Sequence, residues 1–255
     1  MRVGQALGRG TAGVARRSDG VAAKLRHGAA ALLAAALLAG CGAPAVAPPD
    51  RLRREPAEFP TNDYRRLAAQ GSPVYRVDPA RSMVVIEVRR GGSLARLGHD
   101  HVVSSHDVAG FVAPGVARAD LWLPLDALVV DEPALRAEAG FTTVPTADDI
   151  AGTRLNMLTR VLETERHPYA RVGIRGLEAG GATIRLHVDI TLHGITRSYT
   201  TDASYDPGEA ALTVSGTLAI DQTDFGIVPL SVLGGAIAVQ DRLQMRYVIH
   251  ALRLP

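Results

Sequence analysis

Residues Thr183 to His193 read TIRLHVDITLH. Ile184, Leu186, Val188, Ile190 and Leu192 alternate without a break with Arg185, His187, Asp189, Thr191 and His193. Successive side chains of a strand point to opposite faces, so strict period two means one buried apolar row and one row in water. Residues 169–175 repeat the pattern, with Ala170, Val172 and Ile174 between arginines. Gly180 and Gly181 lie between the two runs, which predicts a β-hairpin.

Working outward, further strands are expected at 83–90, 117–123, 198–205, 211–220 and 242–253. Asp206-Pro207-Gly208 marks the turn between two of them. One helix stands out at 147–163. Thr146 and Asp149 have the capping-box spacing, and Ile150, Met157, Leu158 and Val161 fall on one face. Eight or so short strands with one helix predict an all-β fold, a closed antiparallel barrel or a sandwich.

The N-terminus carries a different signal. Arg2, Arg9, Arg16, Arg17, Lys24 and Arg26 precede an apolar run of Ala and Leu from Ala29 to Ala39. A positive leader and a short apolar segment form an export signal. The run is too short for a lasting span, which takes roughly 20 residues. It closes on Leu38-Ala39-Gly40-Cys41, which resembles the lipobox of bacterial lipoproteins. Cys41 is the only cysteine of the 255 residues, so no disulfide competes for it. Residues 1–40 are therefore expected to be a lipoprotein signal peptide, with Cys41 lipidated and anchored in a membrane. Gly42 after the cysteine, rather than Asp, resembles the pattern sorted to the outer membrane. Residues 41–72, Ala/Pro-rich and then charged, read as a flexible tether with room for a short helix at 63–69. Residues 73–255 are one domain by length.

The net charge of +2 over the whole chain does not describe the exported part. Residues 1–40 hold six of the 28 Lys and Arg and one of the 26 Asp and Glu. The remainder keeps 22 basic against 25 acidic residues, a net of −3. No basic stripe is present, so nucleic acid is not an expected partner. No GxSxG elbow, HExxH pair or CxxCH haem site occurs, so hydrolase chemistry and haem attachment have no foothold and an enzyme is not expected.

Several stretches, in order, resemble the YceI-like family of bacterial secreted proteins. They are Tyr75 to Ser82 (YRVDPARS), His167 to Ala170 (HPYA), Leu192 to Arg197 (LHGITR), Gly216 to Leu218, Asp221 to Ile227 (DQTDFGI) and Val239 to Leu243 (VQDRL). The resemblance covers about residues 74–252. It implies a single lipocalin-like antiparallel barrel of about eight strands that binds a polyisoprenoid or other long amphiphilic lipid. No cofactor is required; a bound isoprenoid or quinone is what the family implies, and a homodimer stays open. The lining expected for a lipid tail is Val84, Ile86, Val88, Leu121, Leu123, Ile184, Leu186, Val188, Ile190 and Leu218. The same rows would also suit a filled core, as in a structural or stress-related envelope protein.

A histidine-rich stretch, Leu97 to Asp107 (LGHDHVVSSHD), departs from the common family pattern. His99 and His101 share a face if the stretch is a strand. Together with His106 they are read three ways: a polar turn at the barrel rim, contact with a lipid head group, or a Zn²⁺ or Cu²⁺ site serving a quinone-linked redox accessory, with Asp100 or Asp107 near and His106, His187 or His193 as candidate third ligand. The polar turn is favoured and a metal is not expected. His187 and His193 are expected on the solvated face, Trp122 on the outer wall, and Arg197 in an ion pair at a strand corner.

Overall fold

The computed structural model describes residues 54–180 and 183–255. The expected signal peptide, Cys41 and the first part of the expected tether, residues 41–53, lie outside the described residues. None of the described helices is long and apolar enough to cross a membrane.

The chain folds as helix α1 (Thr61–Ala69) followed by strands β1 (Tyr75–Val77), β2 (Met83–Val88), β3 (Arg90–Gly91), β4 (His101–Ser105), β5 (Ala109–Ala113), β6 (Arg118–Pro124) and β7 (Val129–Val130). Helices α2 (Pro133–Glu138) and α3 (Ala147–Asn156) come next, and a π-helical turn, Met157–Val161, continues α3. The remainder is strands β8 (Tyr169–Gly180), β9 (Thr183–Leu192), β10 (Ile195–Pro207), β11 (Ala211–Asp221), β12 (Ser231–Val232), β13 (Ile237–Val239) and β14 (Arg242–Arg253).

Eight strands pair in the order β1-β5-β6-β8-β9-β10-β11-β14, and β1 pairs back onto β14 to close the ring. All these pairings are antiparallel. Closure leaves the ring no free edge. β2 and β4 prolong β1 and β5 toward the far end: β14 pairs with β2, β2 with β4, and β4 with β7. The break between β1 and β2 is made by Asp78-Pro79, where the Asp78 carboxylate accepts a bond from the Ala80 amide.

The expected hairpin forms, with β8 and β9 in register from Arg171↔Thr191 to Gly180↔Thr183. β8 runs further than its alternation allowed. A register shift between Ile174 and Gly176 lets Ile174 and Leu177 both reach the apolar interior although they are three apart. The helix at 147–163 begins with the expected capping box between Thr146 and Asp149.

Residues 54–72 correct an expectation. This end of the supposed tether is not free chain but lies on the outer wall. Tyr64, in α1, is fully buried, stacks on Phe111 at 5.2 Å and donates its hydroxyl to Asp120 at 2.8 Å. Phe59 meets Trp122 edge-on at 6.5 Å, and Tyr169 meets it at 5.4 Å. Trp122 thus covers the outer wall as expected. The polar composition hid this docking, because a segment lying on an existing wall needs only a few apolar side chains, not a periodic face.

Arg118 and Arg175 also reach Asp120, so its carboxylate is shared among three donors. Tyr64→Ala removes the buried ring and is expected to cost about 3–5 kcal/mol. Tyr64→Phe keeps the ring and leaves Asp120 its two arginines, and is expected to cost about 1 kcal/mol. Urea unfolding of the full chain reads both; an unchanged midpoint for Tyr64→Ala contradicts the docking.

Candidate functional site

The barrel is hollow. A cavity of about 720 Å³ runs through it, within the roughly 300–1,000 Å³ usual for small-molecule pockets. All ten residues expected to line a lipid tail face it: Val84, Ile86 and Val88 from β2; Leu121 and Leu123 from β6; Ile184, Leu186, Val188 and Ile190 from β9; and Leu218 from β11. The sequence reading missed further lining, including Val103 (β4), Val172 and Ile174 (β8), and Leu243 and Met245 (β14). The alternation within 169–175 and 242–253 could have supplied the last four.

Toward the end away from the helices, the Tyr247 ring of β14 lies along the inner wall over Gly216, its cross-strand partner on β11. A Cβ on Gly216 would lie 2.6 Å from the Tyr247 hydroxyl, so only glycine leaves room for that ring. Burial pushes the Tyr247 phenol above its ordinary value. Tyr205 and Ile249 pack beside it.

Polar groups gather at the other end. His99 and His101, the Asp148–Asp149 start of α3, Thr153 and Asn156 border the mouth. Ser231, Val232 and Ile237 from the small β12-β13-β3 sheet border it too. The π-helical turn after α3 closes one side through Met157, Val161 and Leu162.

The structure separates the histidines that were read together. β4 begins at His101, so His99 lies in the approach to the strand, with its ring 6.2 Å from that of His101 and edge-on to it. His101 Nδ1 is 2.6 Å from Asp131 Oδ2, and its Nε2 is 3.4 Å from the Thr153 hydroxyl. His106 is past the other end of β4, pairs with Glu132 at 2.9 Å and does not border the cavity. His187 faces outward beside Glu178 and Thr200. His99, His101 and His106 therefore do not converge on one point, and the metal alternative through all three has no geometry behind it. Arg197 donates to the Thr196 carbonyl and has no ion pair among the described residues.

His193 was expected in water and is not there: its side chain is 16% exposed and its Nε2 is buried without a hydrogen bond. His193 and Gly194 form the two-residue turn joining β9 to β10, both at positive φ (53° and 78°). That matches a type I′ turn, which takes its residues off the strand face. The His193 ring lies 4.5 Å from that of His167, and its Nε2 is 3.7 Å from Glu163. Burial, with His193 and Arg166 nearby, pulls the His167 imidazole below its ordinary value.

Comparison with known proteins follows this geometry. Residues 75–251 match the family model described as the YceI-like domain. The chain belongs to the YceI-like domain family. Among solved structures, a polyisoprenoid binding domain from Saccharophagus degradans, implicated in plant cell wall breakdown, is 14% identical with a TM-score of 0.51, covering 71% of this chain and 98% of its own. BcnA from Burkholderia cenocepacia is 15% identical over 68% of this chain and 98% of its own, with a TM-score of 0.48. A search of the curated proteins found no match. In this YceI-like domain several of the stretches that carried the resemblance are corners, while Gly216–Leu218 lies within β11. LHGITR is the His193-Gly194 turn, and DQTDFGI is the turn of 3₁₀ helix Gln222–Phe225, whose Phe225 is fully buried. VQDRL supplies Asp241, which receives the Thr223 amide at 2.9 Å.

Asp131 ties the mouth together. Burial alone would raise its pKa, but His101, the Val102 amide at 3.0 Å and Arg136 outweigh burial and hold it below the usual carboxylate range. A depressed carboxyl stabilises the fold above its unfolded value near about 3.9, and that contribution is lost as pH falls through the lower folded value. Asp131→Asn is therefore expected to lower the urea midpoint near neutral pH, with the gap to the parent narrowing as pH drops below about 4. A gap independent of pH contradicts this role.

Proposed function

We propose that the protein is a cell-envelope lipoprotein that holds one long-chain isoprenoid, or a quinone with such a tail, inside its barrel for storage or transport. In this reading the lipid on Cys41 anchors it, facing the periplasm, with the outer membrane the preferred location. The stretch after Cys41 gives the barrel reach from the bilayer.

The observation that carries the reading is the cavity: hollow, lined mostly by aliphatic side chains and bordered by polar groups at the helical rim. A tail needs no polar partner along its length, only exclusion of water. Each methylene moved out of water contributes roughly 0.8 kcal/mol, so about ten buried methylenes gather on the order of 8 kcal/mol. Ordering the tail and losing free motion oppose this, which is why affinity does not follow area alone. His99 and Thr153 at the rim offer hydrogen bonds to a head group that stays outside. The cavity is also what favours this reading over a filled structural barrel. Membership of the YceI-like family, and a solved relative described as polyisoprenoid binding, support lipid as the ligand class.

Filling the cavity tests it. Val188→Trp puts a large apolar ring into empty space, so the fold is expected to hold with an unfolding midpoint equal to or above that of the parent. Uptake of a fluorescent polyprenol from vesicles is expected to fall at least about tenfold, since the tail and the ring compete for one volume. Unimpaired uptake by a folded Val188→Trp variant would rule out the lumen as the binding site.

A further inference from the structure

The arrangement of Glu163, His167 and His193 is unexplained by lipid binding. Their ligand atoms, one from each side chain, all lie within 4.8 Å of one another. His193 Nε2 is buried with no hydrogen-bond partner, yet sits 3.7 Å from a Glu163 oxygen, too far for a hydrogen bond. A buried nitrogen left without a partner is costly, and natural folds seldom leave one so. Two imidazoles and a carboxylate facing one gap are the donor set of a zinc site that keeps a fourth position open.

We propose that Glu163, His167 and His193 bind a divalent transition metal, Zn²⁺ by preference, which fastens the helical cap to the barrel rim. Tetrahedral bonds of about 2.0–2.1 Å put ligand atoms roughly 3.3 Å apart, so the pair at 3.7 Å is nearly there and no pair needs to close by more than about 1.5 Å, within reach of side-chain rotation. The backbone is built for the approach. Glu163 and His193 both have positive φ, 44° and 53°. His167 lies over Gly194, where a Cβ would come within 3.1 Å of its ring, so a larger residue in the turn would crowd His167. The donors come from two otherwise separate elements: Glu163 and His167 follow the π-helical turn, and His193 belongs to the β9–β10 turn. Leu162 and Leu192, their immediate neighbours, line the cavity. An ion here would hold the cap against the rim beside the cavity. This site is distinct from His99 and His101 and does not depend on the identity of the lipid.

The test is calorimetric titration of the EDTA-stripped full chain with Zn²⁺, alongside the absorption spectrum with Co²⁺. One Zn²⁺ per chain is expected, with a four-coordinate Co²⁺ spectrum and a thermal midpoint that rises on loading. His167→Gln and His193→Asn are each expected to weaken binding at least tenfold. Asparagine accepts positive φ, so His193→Asn keeps the turn while removing the imidazole. His187→Gln, on the outer wall, is expected to bind as the parent does. Absence of saturable binding overturns the proposal, as does binding that survives both His167→Gln and His193→Asn.

Discussion

Closure of the sheet governs everything else in this molecule. β1 pairs with β5 on one side and with β14 on the other, so a stretch as short as Tyr75–Val77 turns an open sheet into a ring. Once closed, every strand must present one face inward, and strict period two decides which residues those are. The inward rows are mostly Val, Ile and Leu. Gly216 gives the Tyr247 ring of the next strand room to lie along the inner wall. These aliphatic rows leave about 720 Å³ of the lumen unfilled, and that space is the cavity.

The open end is set by the chain between β6 and β8. β4 pairs there with the two-residue β7 instead of continuing beside β6, and the helices of residues 133–161 come over the rim. Asp131 joins this cover to the barrel through His101, the Val102 amide and Arg136. Asp131, His101 and Arg136 thus gather at the entrance, while Val, Ile and Leu dominate the interior. That division suits an amphiphile with its tail inside and its head outside.

The parts legible in the sequence are those where one strand carries its own period. Thr183 to His193 announced β9 and its inward row, and the ten lining residues follow from such local rows. β1, β4 and β5 are three to five residues long, and their alternation is too brief to read. β8 was cut short because its register shift breaks the period at Gly176. His193 was misjudged because it was counted along the strand, whereas it occupies a turn residue that leaves the sheet face. The grouping of Glu163 and His167 with His193 depends on how the helical cap meets the β9–β10 turn, which no local pattern encodes. Hollowness was not legible either, since a cavity is the balance of side-chain volume over all eight strands.

The central claim is that the lumen is an occupied lipid site. The most direct measurement is native mass spectrometry of the full chain taken from a bacterial envelope in mild detergent, with the bound molecule released into organic solvent and weighed. The account predicts one long-chain isoprenoid or prenylated quinone per chain. A chain that arrives empty, and stays empty when polyprenols and quinones are supplied, contradicts it.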